Sequence, residues 1–384
     1  MDVIFYVLLI TFCLYVLIGF TVNAGISKTR GISERGDHNP SPAVSVVVAV
    51  RNEEHNISDL LGSLVNQNYS NYEIIIVDDN STDSTKKLAD EFISLRKTAN
   101  PEIRIIPARE NTYNWGPKKN ALHTGIEISK GEIIMTTDAD CRPQEKWISE
   151  MVSFYSDGVG VVAGYTPLKS PGAGLSGRLK GLESLAMAII AMSFIGLKKP
   201  YIAGGGNLSY KKELYYKLDG FGSNASIASG DDDLFVQRAS KISKVRYAVS
   251  EGSIVPSFLR DDKYIRRKRR HISVTKYYSY DFIAAGAAVF IFMAALAAAL
   301  VAGSLLPDAK LLYGSIAVFV LKVALDLYLL YKGSRVLHGS FNIFEVIFTE
   351  LLVFPYTLIL QPISLFGKIR WKDRDLCVSM IPQQ

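Results

Sequence analysis

Glu73-Ile74-Ile75-Ile76-Val77-Asp78-Asp79-Asn80-Ser81-Thr82-Asp83 sets a β-branched run directly against an acidic turn. The apolar run suits a strand buried on both faces. The Asp, Asn and Ser residues behind it suit a turn that caps the next helix. Working outward, Val44 to Val50 reads as another buried strand and Asn56 to Gln67 as a helix. Downstream, Ser84 to Leu95 is a helix, Arg104 to Ile106 a strand, Lys118 to Lys130 a helix, and Ile133 to Thr137 a fourth strand ending in Asp138. This strand–helix alternation predicts an α/β domain built on a mainly parallel sheet. Ligands of such sheets bind beyond the carboxyl ends of the strands. Asp78, Asp79, Asp138 and Asp140 all fall there.

Three acidic motifs carry chemistry, each with a bland counterpart. Asp78 to Asp83 is either a capping turn or a carboxylate site for a base or ribose; it lacks the glycine that a calcium loop needs at its sixth position. Asp138-Ala139-Asp140 can share a divalent cation that completes its shell with phosphates, with Ala139 expected to point away. Gly230-Asp231-Asp232-Asp233 is either a solvated helix start favoured by the helix dipole or a cluster whose mutual repulsion raises one pKa and suits a general base. Gly204-Gly205-Gly206-Asn207 offers close backbone approach or is a plain loop. Leu182 to Leu197 is short for a membrane span, and reads as a core helix or as one lying on a bilayer.

The 48% hydrophobic content is concentrated rather than spread. Val3–Val22, Phe282–Leu306, Leu311–Tyr331 and Ile343–Phe366 each reach the roughly 20 apolar residues of a span. Without a basic leader or a small-residue cleavage site, the first reads as an uncleaved anchor. Lys28, Arg30 and Arg35 follow it, and Arg266-Arg267-Lys268-Arg269-Arg270 precedes the second stretch. This bias places the domain between them in the cytosol. Lys368, Arg370, Lys372 and Arg374 favour the cytosol too, so the last stretch, with Glu345, Glu350, Pro355 and Pro362, is expected to bend back. Lys322 and Asp326, four apart inside the third stretch, are expected to pair on one helix face. The net charge of +6 comes partly from these flanks, which disfavours a nucleic-acid partner. Cys13, Cys141 and Cys377 show neither metal spacing nor a disulfide framework. The expected organisation is an anchor at 1–24, a linker at 25–42, a soluble domain at 43–260, a basic interfacial helix at 261–279, and a membrane region with a basic tail at 280–384.

In order, Val44–Val50, Arg51-Asn52-Glu53-Glu54, Val77 to Asp83, Lys118-Lys119-Asn120-Ala121-Leu122, Thr137 to Asp140 and Gly230 to Asp233 resemble a family 2 glycosyltransferase of the GT-A fold, over about 43 to 275. The resemblance implies a Rossmann-like GT-A domain and an inverting, metal-dependent transfer from a nucleotide-sugar, with a UDP-sugar first among donors, to a lipid-linked or membrane-proximal glycan acceptor. Carried onto this chain, it assigns Glu53 and Asp79 to the nucleoside. Lys118, Asp138 and Arg270 join them in the donor site, and Asp140 with Asp138 holds Mg²⁺ or Mn²⁺. Asp232 is the base, with Asp231 the alternative because the run of three blurs alignment. Gly205, Gly206, Asn207 and His271 belong to the acceptor region. Members often carry Gln-x-x-Arg-Trp before the membrane; here Arg267 and His271 replace the glutamine and tryptophan. Histidine is a weaker stacking platform, so one or a few transfers are expected rather than a long polymer. A processive polysaccharide synthase, a catalytically silent scaffold and a nucleotidyltransferase remain the rival readings. The third lacks a Gly-rich loop with a basic residue near the first strand.

Overall fold

A computed structural model describes residues 2–355 except 31–40, 97, 99, 113, 171, 173, 228, 259, 260 and 307, together with 358, 369–371 and 374–376. The helices are α1 (Asp2–Arg30), α2 (Ile57–Val65), α3 (Thr85–Ser94), α4 (Pro117–Ile128), α5 (Trp147–Ser153), α6 (Gly174–Gly196), α7 (Lys212–Lys217), α8 (Asp233–Ala239), α9 (Asp261–Val274), α10 (Tyr280–Leu305), α11 (Ala309–Leu337) and α12 (Ile343–Pro355). The strands are β1 (Val44–Val50), β2 (Tyr72–Asp78), β3 (Glu102–Pro107), β4 (Ile133–Thr136), β5 (Val159–Gly164), β6 (Leu168–Lys169), β7 (Leu208–Lys211), β8 (Lys244–Ala248), β9 (Ser257–Phe258), β10 (Ile369–Trp371) and β11 (Arg374–Leu376).

Seven strands form one sheet in the order β3-β2-β1-β4-β7-β5-β8. The first four run parallel, β7 lies antiparallel between β4 and β5, and β5 pairs parallel with β8. The sheet is therefore mixed but mostly parallel. Alternation along β1 explains its burial on both faces. Val44, Val46, Val48 and Val50 join Leu60, Leu61 and Leu64 of α2 in one core. Val47 joins Ala121, Leu122 and Ile126 of α4 in the other. At Gly125 a Cβ would stand 2.5 Å from Val47 Cγ1, so only glycine lets α4 lie this close to the sheet.

By length and composition α1, α6, α10 and α11 are apolar enough to cross a membrane. Residues 25–30, expected in the linker, instead continue α1. α6 is longer than the expected Leu182 to Leu197, and its Leu185, Ile189 and Met192 share the core that holds Val47. Thr29 Oγ1 donates to Met192 O at 3.0 Å, fastening α1 to α6. α12 has 13 residues, about 20 Å of helix, too short to cross alone; most of the remaining stretch to Phe366 lies outside the described residues. The expected Lys322–Asp326 pair forms at 2.8 Å, Glu350 of α12 closes on the same ammonium, and Tyr15 donates to Asp326 at 2.5 Å. β10, which pairs antiparallel with β11, packs against α9. Lys368 and Lys372 of the basic tail lie outside the described residues.

Candidate active site

The loops after β1 and β2 interlock. Arg51 donates to the carbonyls of Asp79 and Asn80 at 2.5 and 2.8 Å, and Thr82 N donates to Asn52 Oδ1 at 2.8 Å. Asp83, one residue before the N-cap Ser84 of α3, accepts from the amides of Thr85 and Glu54 at 3.0 and 3.2 Å, tying the two loops together. Asp79 is left on the wall of a cavity of about 390 Å³, with Asn80, Ala108, Arg109, Asn111 and Asn120. Glu53, assigned with it to the nucleoside, is not among the lining residues. It is buried, with its carboxylate accepting from Asn56 Nδ2 at 2.7 Å.

β4 ends at Thr136, and the chain then turns, Cys141 N donating to Asp138 O at 3.0 Å. The Asp-x-Asp is thus a turn and not a strand end, which corrects the expected alternation about Ala139. The turn still brings one ligand atom each from Asp138, Asp140 and Cys141 within 4.8 Å of one another. Burial, with Asp140 and Asp138 adding to it, pushes the Cys141 thiol well above its usual value, so the sulfur stays protonated. The two carboxylates remain a fit for a hard divalent cation.

Lys118, in the first turn of α4, joins this turn to the acidic run. Its Nζ lies 2.9 Å from Asp138 Oδ1 and 2.8 Å from Asp231 Oδ2. Burial alone would lower the ammonium, but Asp138, Asp231 and Asp232 outweigh it and hold it above the lysine range. Burial works against Asp138 and Asp231 as well, and Lys118 nevertheless keeps both carboxyls below their ordinary values.

The three consecutive aspartates take different partners. Gly230, at φ +81°, turns the chain just ahead of them. Asp232 Oδ1 caps α8 by accepting from Asp233 N, and Oδ2 accepts from Gly205 N, both at 2.8 Å. Burial and then the Asp231 charge push its carboxyl up. Asp233 accepts from Ala203 N at 2.7 Å and from the Tyr278 hydroxyl, and is pushed up further by burial and Asp232. Gly205 lies against this group: a Cβ there would stand 3.1 Å from both Asp232 Oδ2 and Lys118 Nζ. At Gly206 it would stand 3.0 Å from Cys141 Sγ. Asn207 requires a correction. It is fully buried, accepts from Trp147 Nε1 at 2.9 Å and donates to Tyr165 O and Ser253 O at 3.1 and 2.8 Å. With its amide saturated inside the core, it cannot meet an acceptor.

α9 lays two arginines over the site. Arg267 Nη1 lies 3.8 Å from Asp140 Oδ2, and Arg270 donates to Ser229 Oγ at 3.1 Å, beside the acidic run. His271 follows them; burial, then Arg270 and Arg267, push it down to about 3, so it is neutral near pH 7. Tyr278 and Ser229 escaped sequence reading because nothing local marks a residue whose partner lies some forty positions away.

Residues 45–218 match the family model described as Glycosyl transferase family 2. Glycosyltransferase AglE of Haloferax volcanii is 36% identical over 136 residues, 35% of this chain and 42% of that protein. A Beta-monoglucosyldiacylglycerol synthase of Nostoc sp. is 32% identical over 155 residues, 38% of this chain and 32% of that one. The chain thus spans less than half the length of these curated relatives. Among solved structures, the mannosyltransferase PcManGT from Pyrobaculum calidifontis, in complex with GDP-Man and Mn²⁺, aligns with a TM-score of 0.55 at 17% identity, covering 95% of this chain and 96% of that one, a likeness of fold. The matched segment holds the interlocked acidic turn, Lys118 and the Asp-x-Asp on a mostly parallel sheet; it is similar to glycosyl transferase family 2 over somewhat less than half of the chain, and the fold is GT-A-like.

Proposed function

We propose that the chain is an inverting glycosyltransferase that moves one or a few sugars from a nucleotide-sugar to a lipid-linked or membrane-proximal acceptor. The observation that carries this reading is the meeting of Asp138, Lys118 and Asp231 within 3 Å contacts, with Asp232 next in the chain held by backbone amides alone among its described hydrogen bonds. Two adjacent carboxylates whose environments push their pKa values apart divide their roles. Asp231 stays ionised against Lys118 on the donor side. Asp232, the more basic, takes the proton of the acceptor hydroxyl. The freed oxygen pair forms a bond to the anomeric carbon as the bond to the diphosphate breaks, and the electron pair leaves with the nucleoside diphosphate. Asp79 and the cavity beside it accommodate the nucleoside. Lys118, Arg267 and Arg270 supply positive charge for the leaving group. Asp138 and Asp140 would hold Mg²⁺ or Mn²⁺, which offsets charge on the diphosphate when bound.

A membrane-proximal acceptor follows from connectivity. α9, with its two arginines over the site, runs by way of Tyr278 directly into α10, which is long and apolar enough to span. Lys28 and Arg30 end α1, and Lys332 and Arg335 lie near the end of α11. This bias supports a cytosolic catalytic face. The packing of β10 on α9 supports the return of the chain to that face after α12. The test is a panel of nucleotide-sugars given to the full chain in vesicles with labelled lipid-linked acceptors. The reading expects nucleoside diphosphate release matched by a product of inverted anomeric configuration. Pyrophosphate release from a nucleoside triphosphate and a sugar phosphate, or no turnover with any donor, would sink it.

A further inference from the structure

We propose that Tyr278 is a positioning residue for the acidic cluster, and that through it the seat of α10 in the bilayer sets where Asp232 stands. This rests on the reading of Asp232 as the base. Tyr278 is buried two residues before α10, and its hydroxyl donates to Asp233 Oδ2. The other Asp233 oxygen accepts from Ala203 N at 2.7 Å, and Asp232 Oδ2 accepts from Gly205 N at 2.8 Å. Two neighbouring carboxylates therefore grip alternate amides of one loop.

That loop is moored to α10 a second time. The Tyr201 hydroxyl donates to Asp281 in the first turn of α10, and Lys199 Nζ lies 3.2 Å from the same carboxylate oxygen. The Tyr201 ring lies 4.9 Å from that of Phe282, which in turn lies 5.4 Å from Tyr278. Movement of α10 along the membrane normal therefore acts on Asp233 through Tyr278 and on the Ala203–Gly205 amides through Tyr201. Asp232 lies between the two linkages.

The experiment uses the full chain in vesicles of short-chain and long-chain phosphatidylcholine, comparing wild type with Tyr278→Phe. Tyr277→Phe, a neighbour outside the site, is the control. Transfer kinetics are read beside amide hydrogen exchange of the 199–208 segment. Tyr278→Phe is expected to lower kcat by about tenfold to a hundredfold, the range for a reacting group displaced by about an ångström, with donor KM little changed. Its 199–208 amides should exchange faster, and the dependence of rate on bilayer thickness expected of wild type should flatten; Tyr277→Phe should change none of these. If Tyr278→Phe does not fold, Tyr201→Phe, which cuts only the second mooring, should give a smaller loss in the same direction. Wild-type kcat and exchange in Tyr278→Phe, or an unaltered thickness response, overturn the proposal. Faster exchange in Tyr278→Phe with no transfer by wild type to any acceptor supports the tether and overturns the catalytic reading.

Discussion

Replacing Lys118 by methionine removes one charge from between two carboxylates while keeping most of the side chain's length. Its Nζ lies 2.9 Å from Asp138 and 2.8 Å from Asp231, and the Lys118 and Asp231 side chains are only 13% and 5% exposed. Breaking a buried ion pair costs about 3–5 kcal/mol. Asp138 is more open, at 29%, and Arg267 and Arg270 still act on it, which places the loss near the lower end, about 3 kcal/mol. At about 2–4 °C per kcal/mol for a domain of 150–250 residues, the unfolding midpoint should fall by roughly 6–12 °C. The pH dependence fixes the cause. In wild type both carboxyls are held below their ordinary values. Their contribution is therefore full above about pH 4 and is lost as the pH falls through the folded values. Without Lys118 the two carboxylates repel, their pKa values rise, and a proton can take the place of the ammonium. The deficit of Lys118→Met should thus be largest near pH 8 and shrink toward pH 5, and Asp231→Asn in the same chain should recover part of it at pH 8. The assay is the unfolding midpoint in detergent at both pH values. Equal midpoints at pH 8, a deficit that does not shrink on acidification, or no recovery from the second substitution would refute the reasoning.

Asp232→Asn should lose about 10²–10⁴-fold in transfer while still binding donor by calorimetry; loss of donor binding would move Asp232 to the donor site. In wild type, transfer should rise with pH through a limb above the ordinary carboxylate range, because burial and Asp231 raise the Asp232 carboxyl. Asp231→Asn should shift that limb toward lower pH in any residual activity, and an unmoved limb would contradict the coupling. Asp140→Asn, or excess chelator with wild type, should abolish transfer with the fold intact by circular dichroism; full activity in either would defeat the metal assignment. His271→Trp should lengthen products in a labelled-donor membrane assay if position 271 meets the acceptor, and a long polymer made by wild type alone would overturn the prediction of few transfers.

The first half of the sheet was legible because β1, β2 and β4 are apolar, mostly β-branched runs buried on both faces, as at Val44–Val50, and β2 and β4 lead straight into acidic turns. The second half carries weaker signals. Val159-Gly160-Val161-Val162-Ala163-Gly164 is interrupted by glycines. Leu208-Ser209-Tyr210-Lys211 is four residues long, and nothing local announces that it runs antiparallel between β4 and β5. Asn207 misled for a related reason: a polar residue after three glycines resembles a loop tip, whereas its amide meets buried partners in Tyr165 just after β5, Trp147 of α5 and Ser253 of the β8–β9 connection. The Asp-x-Asp was found by type and spacing, but its geometry comes from a turn hydrogen bond that alternation does not encode. α9 shows the opposite case. Its basic run reads equally as a membrane-surface anchor, and only packing turns Arg267 and Arg270 toward the carboxylates.

The division of labour among Asp231, Asp232 and Asp233 shows why residue type alone could not separate their roles. As a run they present one property, mutual repulsion, which predicts only that some pKa must rise. At the start of α8, successive side chains leave the backbone in different directions, so each meets a different part of the fold. Asp231 meets an ammonium and stays ionised. Asp232 meets two backbone dipoles, which orient a carboxylate without neutralising it. Asp233 meets an amide and a phenol, and its charge is the least favourable of the three. A charge-neutral anchor suits a proton acceptor better than a cation does, because an ammonium at contact distance would hold the carboxylate ionised and weaken it as a base. Lys118 therefore favours Asp232 for the chemistry by engaging Asp231. The negative charge left on Asp231 in turn raises its neighbour, and the two effects act in the same direction on the residue that stands beside Gly205.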